Sequence, residues 1–316
     1  MTHPTRRVPF FAFFAFFAAS AGSSCRPDFG ERESLVDRPR VLAVLVDPPE
    51  ARPGEPITTR IVVATSDGAA PLPAASWAFC ATPKLLTENG SVSASCLAEG
   101  VTPIAVTRGG ITAPLPATGC FDFGPETQSA EVRPRDADVT GGYFVPIRAR
   151  VEVPADEPLT AFGFARIACN LGSAPADLTK RFAAEYVRND NPRLLPIEGR
   201  LESGASVDFT AVPRGARVAL RAAWPASDAQ TYALFDVRAQ QIVLGRESMR
   251  VSWFTTAGSF ERDRTGRTDT EIESFTDNTW TAPDAARPVQ LWAVLRDARG
   301  GVAIATVTLT VTATAQ

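Results

Sequence analysis

The chain has 316 residues, of which 45% are hydrophobic and 21% charged, with a formal net charge of −3. That composition supports a packed core and argues against global disorder; it offers no clustered basic surface, so no nucleic-acid partner is expected. The single histidine is His3, so the rest of the chain lacks Ser-His-Asp and Cys-His catalysis, histidine acid–base work and nearly every catalytic zinc site. No cofactor is expected; carboxylate-pair chemistry and oxygen-ligand calcium sites remain open.

In chain order, Arg6 and Arg7 precede an apolar run at residues 8–19, then the small residues Gly22, Ser23 and Ser24, then Cys25. The run is too short for a mature membrane-spanning helix across ~30 Å of hydrocarbon, and its flanks are those of an export signal. The stretch resembles the lipobox of bacterial lipoproteins, although Gly22 stands where Leu, Val or Ala is more usual. The resemblance implies removal of residues 1–24, lipidation of Cys25, and an exported protein held on a membrane, expected to be the outer membrane. Cleavage would remove Arg6 and Arg7 and no acid, taking the net charge from −3 to −5. Residues 25–40 are charged, lack an apolar pattern and read as a flexible tether.

Four further cysteines follow: Cys80, Cys96, Cys120 and Cys169. An even number in an exported protein reads as two disulfides, with three pairings possible. Cys80–Cys96 with Cys120–Cys169 is favoured; Cys80–Cys169, bridging two sheets, is the alternative.

A first domain is expected over residues 41–190. Residues 41–46 are continuously apolar, as in a buried strand, and Pro53-Gly54 marks a turn. Ile57, Ile61 and Val63 alternate with polar neighbours at strand period, and Trp77, Phe79 and Cys80 lie on another strand. Residues 81–140 read as a long irregular insertion and, as an unusual feature in a compact domain, as the expected recognition surface. Tyr143, Val145, Ile147, Ala149, Val151 and Val153 share one strand face, and residues 159–169 form a further strand. Leu178, Phe182 and Tyr186 have helical spacing, but a closing strand over 182–188 is favoured over a helix. Residues 189–192, Asn-Asp-Asn-Pro, read as a linker.

A second domain is expected over 194–316. Val218, Leu220, Ala222 and Trp224 alternate with arginines; Met249, Val251 and Trp253, and then Val289, Leu291, Ala293 and Leu295, repeat the pattern. Short strands with regular turns indicate a β-sandwich. Val251-Ser-Trp-Phe, Gly258-Ser-Phe260, Trp280-Thr-Ala-Pro283 and Leu291-Trp-Ala-Val-Leu-Arg-Asp297 with Gly300-Gly301 resemble bacterial Ig-like or PKD-like domains. The fold class is therefore all-β, two tandem Ig-like β-sandwiches after a lipoprotein signal and a short tether. As a whole the chain resembles uncharacterised tandem Ig-like surface lipoproteins, which implies a place and a fold and no activity.

Three groups are candidates for chemistry. Glu261, Asp263, Asp269, Glu271, Glu273 and Asp277 form an acidic segment; Asp263, Asp269, Glu271 and Asp277 are the calcium candidates, but Arg262, Arg264 and Arg267 interleave with them and a solvated charged hairpin is the preferred reading. Asp122, Glu126, Asp136 and Asp138 are candidate acids for glycan hydrolysis, which needs two carboxyls about 5–10 Å apart. Trp77, Trp224, Trp253, Trp280 and Trp292 could form an aromatic row, but core positions are favoured; Trp292 is the one expected to be partly exposed or to pack on the other domain. The resulting expectation is a non-enzymatic envelope module, structural or adhesive, with an envelope protein or a glycan as partner. The alternatives are a carboxylate-dependent glycan hydrolase and an accessory subunit of an envelope assembly.

Overall fold

The continuous apolar run at residues 41–46 is a strand covered on both sides. In the computed structural model, which describes residues 32–69, 74–85, 88–124, 142–153, 157–169, 171 and 174–313, β1 (Arg40–Asp47) turns Val44 and Val46 into one core and Leu42, Ala43 and Leu45 into another. After it come β2 (Glu50–Ala51), β3 (Pro56–Thr65), β4 (Gly68–Ala69) and β5 (Ala74–Cys80). Next are α1 (Ala94–Leu97), β6 (Val101–Arg108), β7 (Gly110–Pro114), α2 (Gly119–Asp122), β8 (Gly142–Val151) and β9 (Leu159–Ala168). Strands β1, β3, β4 and β7 form one sheet; β2, β9, β8, β5 and β6 form, in that order, the sheet that faces it. Period-2 alternation supplies the core between them. Val145, Ile147, Ala149 and Val151 of β8 are fully buried against Ile57, Ile61 and Val63 of β3 and Trp77 of β5. Burial of each larger side chain contributes about 1.5–3 kcal/mol.

Within the segment read as an irregular insertion, residues 101–114 are instead two strands. Strand β6 pairs with β5, and β7 pairs with β3, so the segment supplies an edge to each sheet. Its strand period was hidden because β6 is an edge strand, mostly exposed or half-buried, with Pro103 inside it and a register shift at its pairing with Trp77 and Ala78. Prolines are tolerated at such edges. Residues 125–141, with Glu126, Asp136 and Asp138, lie outside the described residues, as do residues 1–31 with the signal and Cys25.

The expected closing strand at 182–188 is instead helical, α3 (Ala176–Glu185). The sheets are already edged by β2 and β7, so no closing strand is needed. The i, i+4 series Leu178, Phe182 and Tyr186 packs with Ala233 and Phe235. Helical propensity wins because a separate apolar surface waits for that stripe.

The second half begins with β10 (Glu198–Leu201), β11 (Val212–Pro213), β12 (Arg217–Ala223), β13 (Thr231–Asp236) and β14 (Gln241–Arg246). It continues with β15 (Met249–Thr255), β16 (Ser259–Phe260), β17 (Arg264–Arg267), β18 (Phe275–Thr281), β19 (Arg287–Asp297) and β20 (Val302–Thr312). Sheet β10-β12-β18-β16 packs on sheet β11-β20-β19-β15-β17, while β13 and β14 form a separate hairpin that receives α3. Val218, Leu220, Trp224, Val251, Trp253, Trp280, Leu291 and Leu295 fill this second core. The fold is all-β, two sandwiches with three short α-helices and one 3-10 turn (Ala226–Asp228) among the described residues.

The two sandwiches share a third core. On β19 the odd positions Val289, Leu291, Ala293 and Leu295 face the second sandwich, while Trp292 and Val294 face outward and meet Leu42, Ala43, Leu45 and Ala64 of the first. Four sheets are thereby stacked in series. All five tryptophans are at most 1% exposed, and Trp292 lies in this shared layer. The aromatic row is thus core and is not displayed for a ligand.

The expected tether is shortened by the same layer. Val36 is fully buried in it, and Leu35 bridges Thr255. The Val36 amide donates to the Thr255 carbonyl at 2.8 Å, and the Thr255 amide donates to the Ser34 carbonyl at 2.8 Å. Two apolar residues in a charged stretch were too few to signal a docked segment.

Candidate functional site

The most heavily charged buried region lies where the first sandwich, α3, the residue 189–192 segment and the β19–β20 turn converge. Glu50 of β2, Arg166 of β9, Asn189, Glu247 and Arg299 are each at most 3% exposed. The Glu50 carboxylate accepts from Arg166, from the Tyr186 hydroxyl at 2.9 Å and from the Asn189 amide at 2.9 Å. The Tyr186 hydroxyl in turn accepts from Arg166 at 2.8 Å and from Arg299 at 3.0 Å. Arg299 Nε donates to Glu247 at 2.7 Å, its Nη1 to the Val187 carbonyl at 2.7 Å, and its Nη2 to Gln230 at 2.6 Å.

The turn that presents Arg299 is built for that purpose. One oxygen of Asp297 accepts from the Arg299 and Gly301 amides, both at 2.8 Å. A Cβ on Gly301 would stand 2.0 Å from the other carboxylate oxygen and 2.9 Å from Pro192, so glycine is required there. Asn189 donates to both oxygens of Asp297 at 3.2 Å. Asn191 donates to the Val46 carbonyl at 2.7 Å and accepts from the Val302 amide at 2.8 Å. Residues 189–191 are therefore a bonded splice between the sandwiches, more than a linker.

Burial dominates the electrostatics. It pushes the Tyr186 phenol up to about 12. It also raises Glu247 to about 7, helped by the negative Asp297 and opposed by Arg299. Asp297 is itself raised by burial. Two neighbouring acids with raised values can mark catalysis, but Glu247 is 1% exposed and already accepts from Arg299 and from the Gln230 amide at 2.9 Å. Glu247 is thus enclosed, with its carboxylate taken up inside the network. Sequence reasoning missed it; the available signal was an arginine, Arg166, inside an otherwise apolar strand.

The acidic candidates separate. Asp277 on β18 pairs with Arg221 on β12 at 2.8 and 2.9 Å. Glu271 accepts from the Thr268 amide at 2.8 Å and the Thr268 hydroxyl at 3.0 Å, and these bonds hold its carboxyl below the ordinary range. The main chain of Asp263 accepts from Trp253, and Asp269 lies on the wall of a surface groove. The calcium candidates thus do not converge, and no metal-holding group of acids, histidines or cysteines occurs among the described residues. Asp122 accepts from the Thr118 hydroxyl at 2.6 Å.

Cys80 is joined to Cys96 and Cys120 to Cys169. The first bond holds α1 over the outer face of its sheet, where Arg148 donates to the Cys96 and Ala98 carbonyls, each at 2.7 Å. Two disulfides are characteristic of a protein outside the reducing cytoplasm. No helix among the described residues is long and apolar enough to cross a membrane.

Two open concavities among the described residues bear on function. One, of about 620 Å³, lies beside the shared layer, and Asp297 is the only acid on its described walls. The other, of about 690 Å³, lies along β15 and β17 and carries four arginines: Arg246, Arg250, Arg264 and Arg267.

No family model matches the chain, and no curated protein does. Among solved structures it is similar to the fibronectin(III)-like modules of Clostridium thermocellum CbhA, at 10% identity over 85% of this chain and 94% of that one, with a TM-score of 0.22. It is also similar to the D00-D0 domain of Intimin, at 9% identity over 85% and 100% of the two chains, with a TM-score of 0.23. A third similarity is to the native conformation of E. coli alpha-2-macroglobulin, at 11% identity over 87% of this chain and 17% of that one, with a TM-score of 0.24. Scores at this level carry no argument about function.

Proposed function

We propose that the chain is an exported, N-terminally lipid-anchored envelope module that binds or braces a partner and performs no chemistry. The observation that carries this reading is the splice between the sandwiches, which engages its buried acids and arginines with one another; of these acids Asp297 alone borders a concavity, without a second acid beside it there. A rigid block of stacked sheets suits a spacer or a binding platform. The disulfides support a place outside the cytoplasm, and the basic, apolar and small-residue series ending at Cys25 supports the lipid. Several acyl chains, at about 0.8 kcal/mol per buried methylene, would hold such a block on a membrane almost irreversibly.

The test is fractionation with mass spectrometry of the amino terminus. The expected result is a membrane-bound chain beginning at an acylated Cys25, released from the membrane by Cys25→Ser. An unmodified intracellular chain that retains residues 1–24 would refute it.

A further inference from the structure

We propose that the arginine-lined groove along β15 and β17 is a binding site for a phosphorylated saccharide, a site separate from the lipid anchor. Four guanidinium groups, those of Arg246, Arg250, Arg264 and Arg267, line one concavity of about 690 Å³, and only Asp269 and Glu271 oppose them there. The whole chain carries a net charge of −3, so this local excess of positive charge runs against the global balance. Clefts lined by one sign of charge concentrate the field on an oppositely charged ligand.

The arginines are unequally occupied, and the two that line the groove with the least engagement are Arg250 and Arg264. Arg250 is exposed and makes no side-chain hydrogen bond or ion pair among the described residues. Its cross-strand partner on β17 is Gly266, which places no side chain over it, and on the β19 side its partner is a further cation, Arg296. A Cβ at Gly266 would come within 2.3 Å of the Met249 carbonyl, so the close approach of β15 and β17 keeps that position bare. Arg264 meets only Glu33, at 2.9 Å, in a pair whose side chains are 69% and 65% exposed; such a pair is worth little and is readily exchanged. Arg267 is already engaged: its Nη1 donates to Glu271 at 3.4 Å, its guanidinium lies over the Phe275 ring and its Nε is buried, so the free capacity is that of Arg250 and Arg264. Arg246 donates to the Glu271 carbonyl, which fixes one wall of the groove.

The class of ligand follows from the chemistry of the walls. Planar guanidinium forks match phosphate oxygens in paired, charge-assisted hydrogen bonds, and several forks around one space favour a multiply charged oxyanion over a single carboxylate. The volume lies in the range of small-molecule sites. Ser248 and Tyr232 supply hydroxyls, the Thr268 hydroxyl is shared with Glu271 and that of Thr265 accepts from Trp253, and Ala298 is the one aliphatic side chain on the wall. A polar, hydroxyl-rich wall suits the hydroxyls of a sugar and offers nothing to an acyl chain.

The experiment is isothermal titration of the full chain with glucose 1-phosphate, glucose and inorganic phosphate, each at low and high salt. The proposal expects saturable, salt-sensitive binding of glucose 1-phosphate and none of glucose. It expects inorganic phosphate to bind more weakly than the sugar phosphate. Arg250→Gln and Arg264→Gln should each weaken binding about tenfold, through loss of a charge-assisted contact, with unchanged thermal melting. Arg217→Gln, an exposed arginine on the opposite sheet of that sandwich, serves as control and should have no effect. The proposal is overturned if glucose 1-phosphate does not saturate, if inorganic phosphate binds as tightly, or if the control variant loses as much as the groove variants. The titration needs no membrane, so its failure would leave the anchor reading intact, and an unlipidated Cys25 would leave the groove intact.

Discussion

Replacing Arg299 by methionine tests whether the buried network holds the two halves together. The substitution keeps most of the aliphatic bulk and deletes the charge. It removes the bonds to Glu247 at 2.7 Å, Tyr186 at 3.0 Å, the Val187 carbonyl at 2.7 Å and Gln230 at 2.6 Å. Glu247 then has no cation, and Asp297 still presses it from one side. Breaking one partner out of a buried pair costs about 3–5 kcal/mol, whereas replacing both by packed apolar groups is often near neutral. Urea unfolding of R299M should therefore lose about 3–5 kcal/mol, and the double variant R299M/E247M should recover more than half of it. The loss should be larger above neutral pH than at mildly acidic pH, where Glu247 can take up a proton. A single-variant loss under about 1 kcal/mol, or a double variant no better than the sum of the singles, would refute the clamp.

Four further outcomes are expected. Trp292→Ala empties the layer between the sandwiches and should cost about 3–5 kcal/mol, with the single unfolding transition splitting into two in calorimetry. Gly301→Ala drives a methyl onto the Asp297 carboxylate and Pro192, so it should lower the melting temperature more than an alanine at Gly204, which has nothing within 4 Å and is strained only by its φ of +84°. Removing Cys120–Cys169, which spans 49 residues, should cost about 4 kcal/mol on the chain-entropy estimate, against about 3 for the 16-residue Cys80–Cys96 loop, measured on Cys→Ser pairs. Glu247 has a folded value of about 7 against an ordinary 4.5, so the folded state holds that proton more tightly and this contribution falls as pH rises through that window. Asp297, raised by burial, acts in the same sense, while Glu55 and Asp228, both lowered, lose their contributions as pH falls below the ordinary carboxylate range. Melting temperature should therefore be higher near pH 5.5 than near pH 8, and Glu247→Gln should flatten that slope.

Much of the second sandwich was legible because its strands are half-buried in the simplest way. Val218, Leu220 and Ala222 alternate with Arg217 and Arg221, and the structure places the first set inside and the second outside. The first sandwich was harder to read. Strand β6 is an exposed edge with a proline, so its period vanished into what looked like a loop. The helix α3 carried the right spacing, but the surface it needed lies on β13, about fifty residues later. The four calcium candidates are close in sequence, yet Asp277 is taken up by Arg221 on β12, and of the four only Asp269 and Glu271 share a groove, too few to hold a metal ion.

Local sequence by itself determined the all-β class, the even set of cysteines and the export-like series ending at Cys25, because alternation, redox chemistry and composition act within a few residues of where they are written. Which two cysteines met, out of three pairings, was settled in three dimensions. So were the double burial of β1, the role of Trp292 as a wall between sandwiches, and the meeting of Glu50, Arg166, Glu247 and Arg299 from positions up to 249 residues apart. The physical reason is that a charge can be buried only where its counter-charge and hydrogen-bond donors already stand, and no local pattern records which distant strands will bring them there.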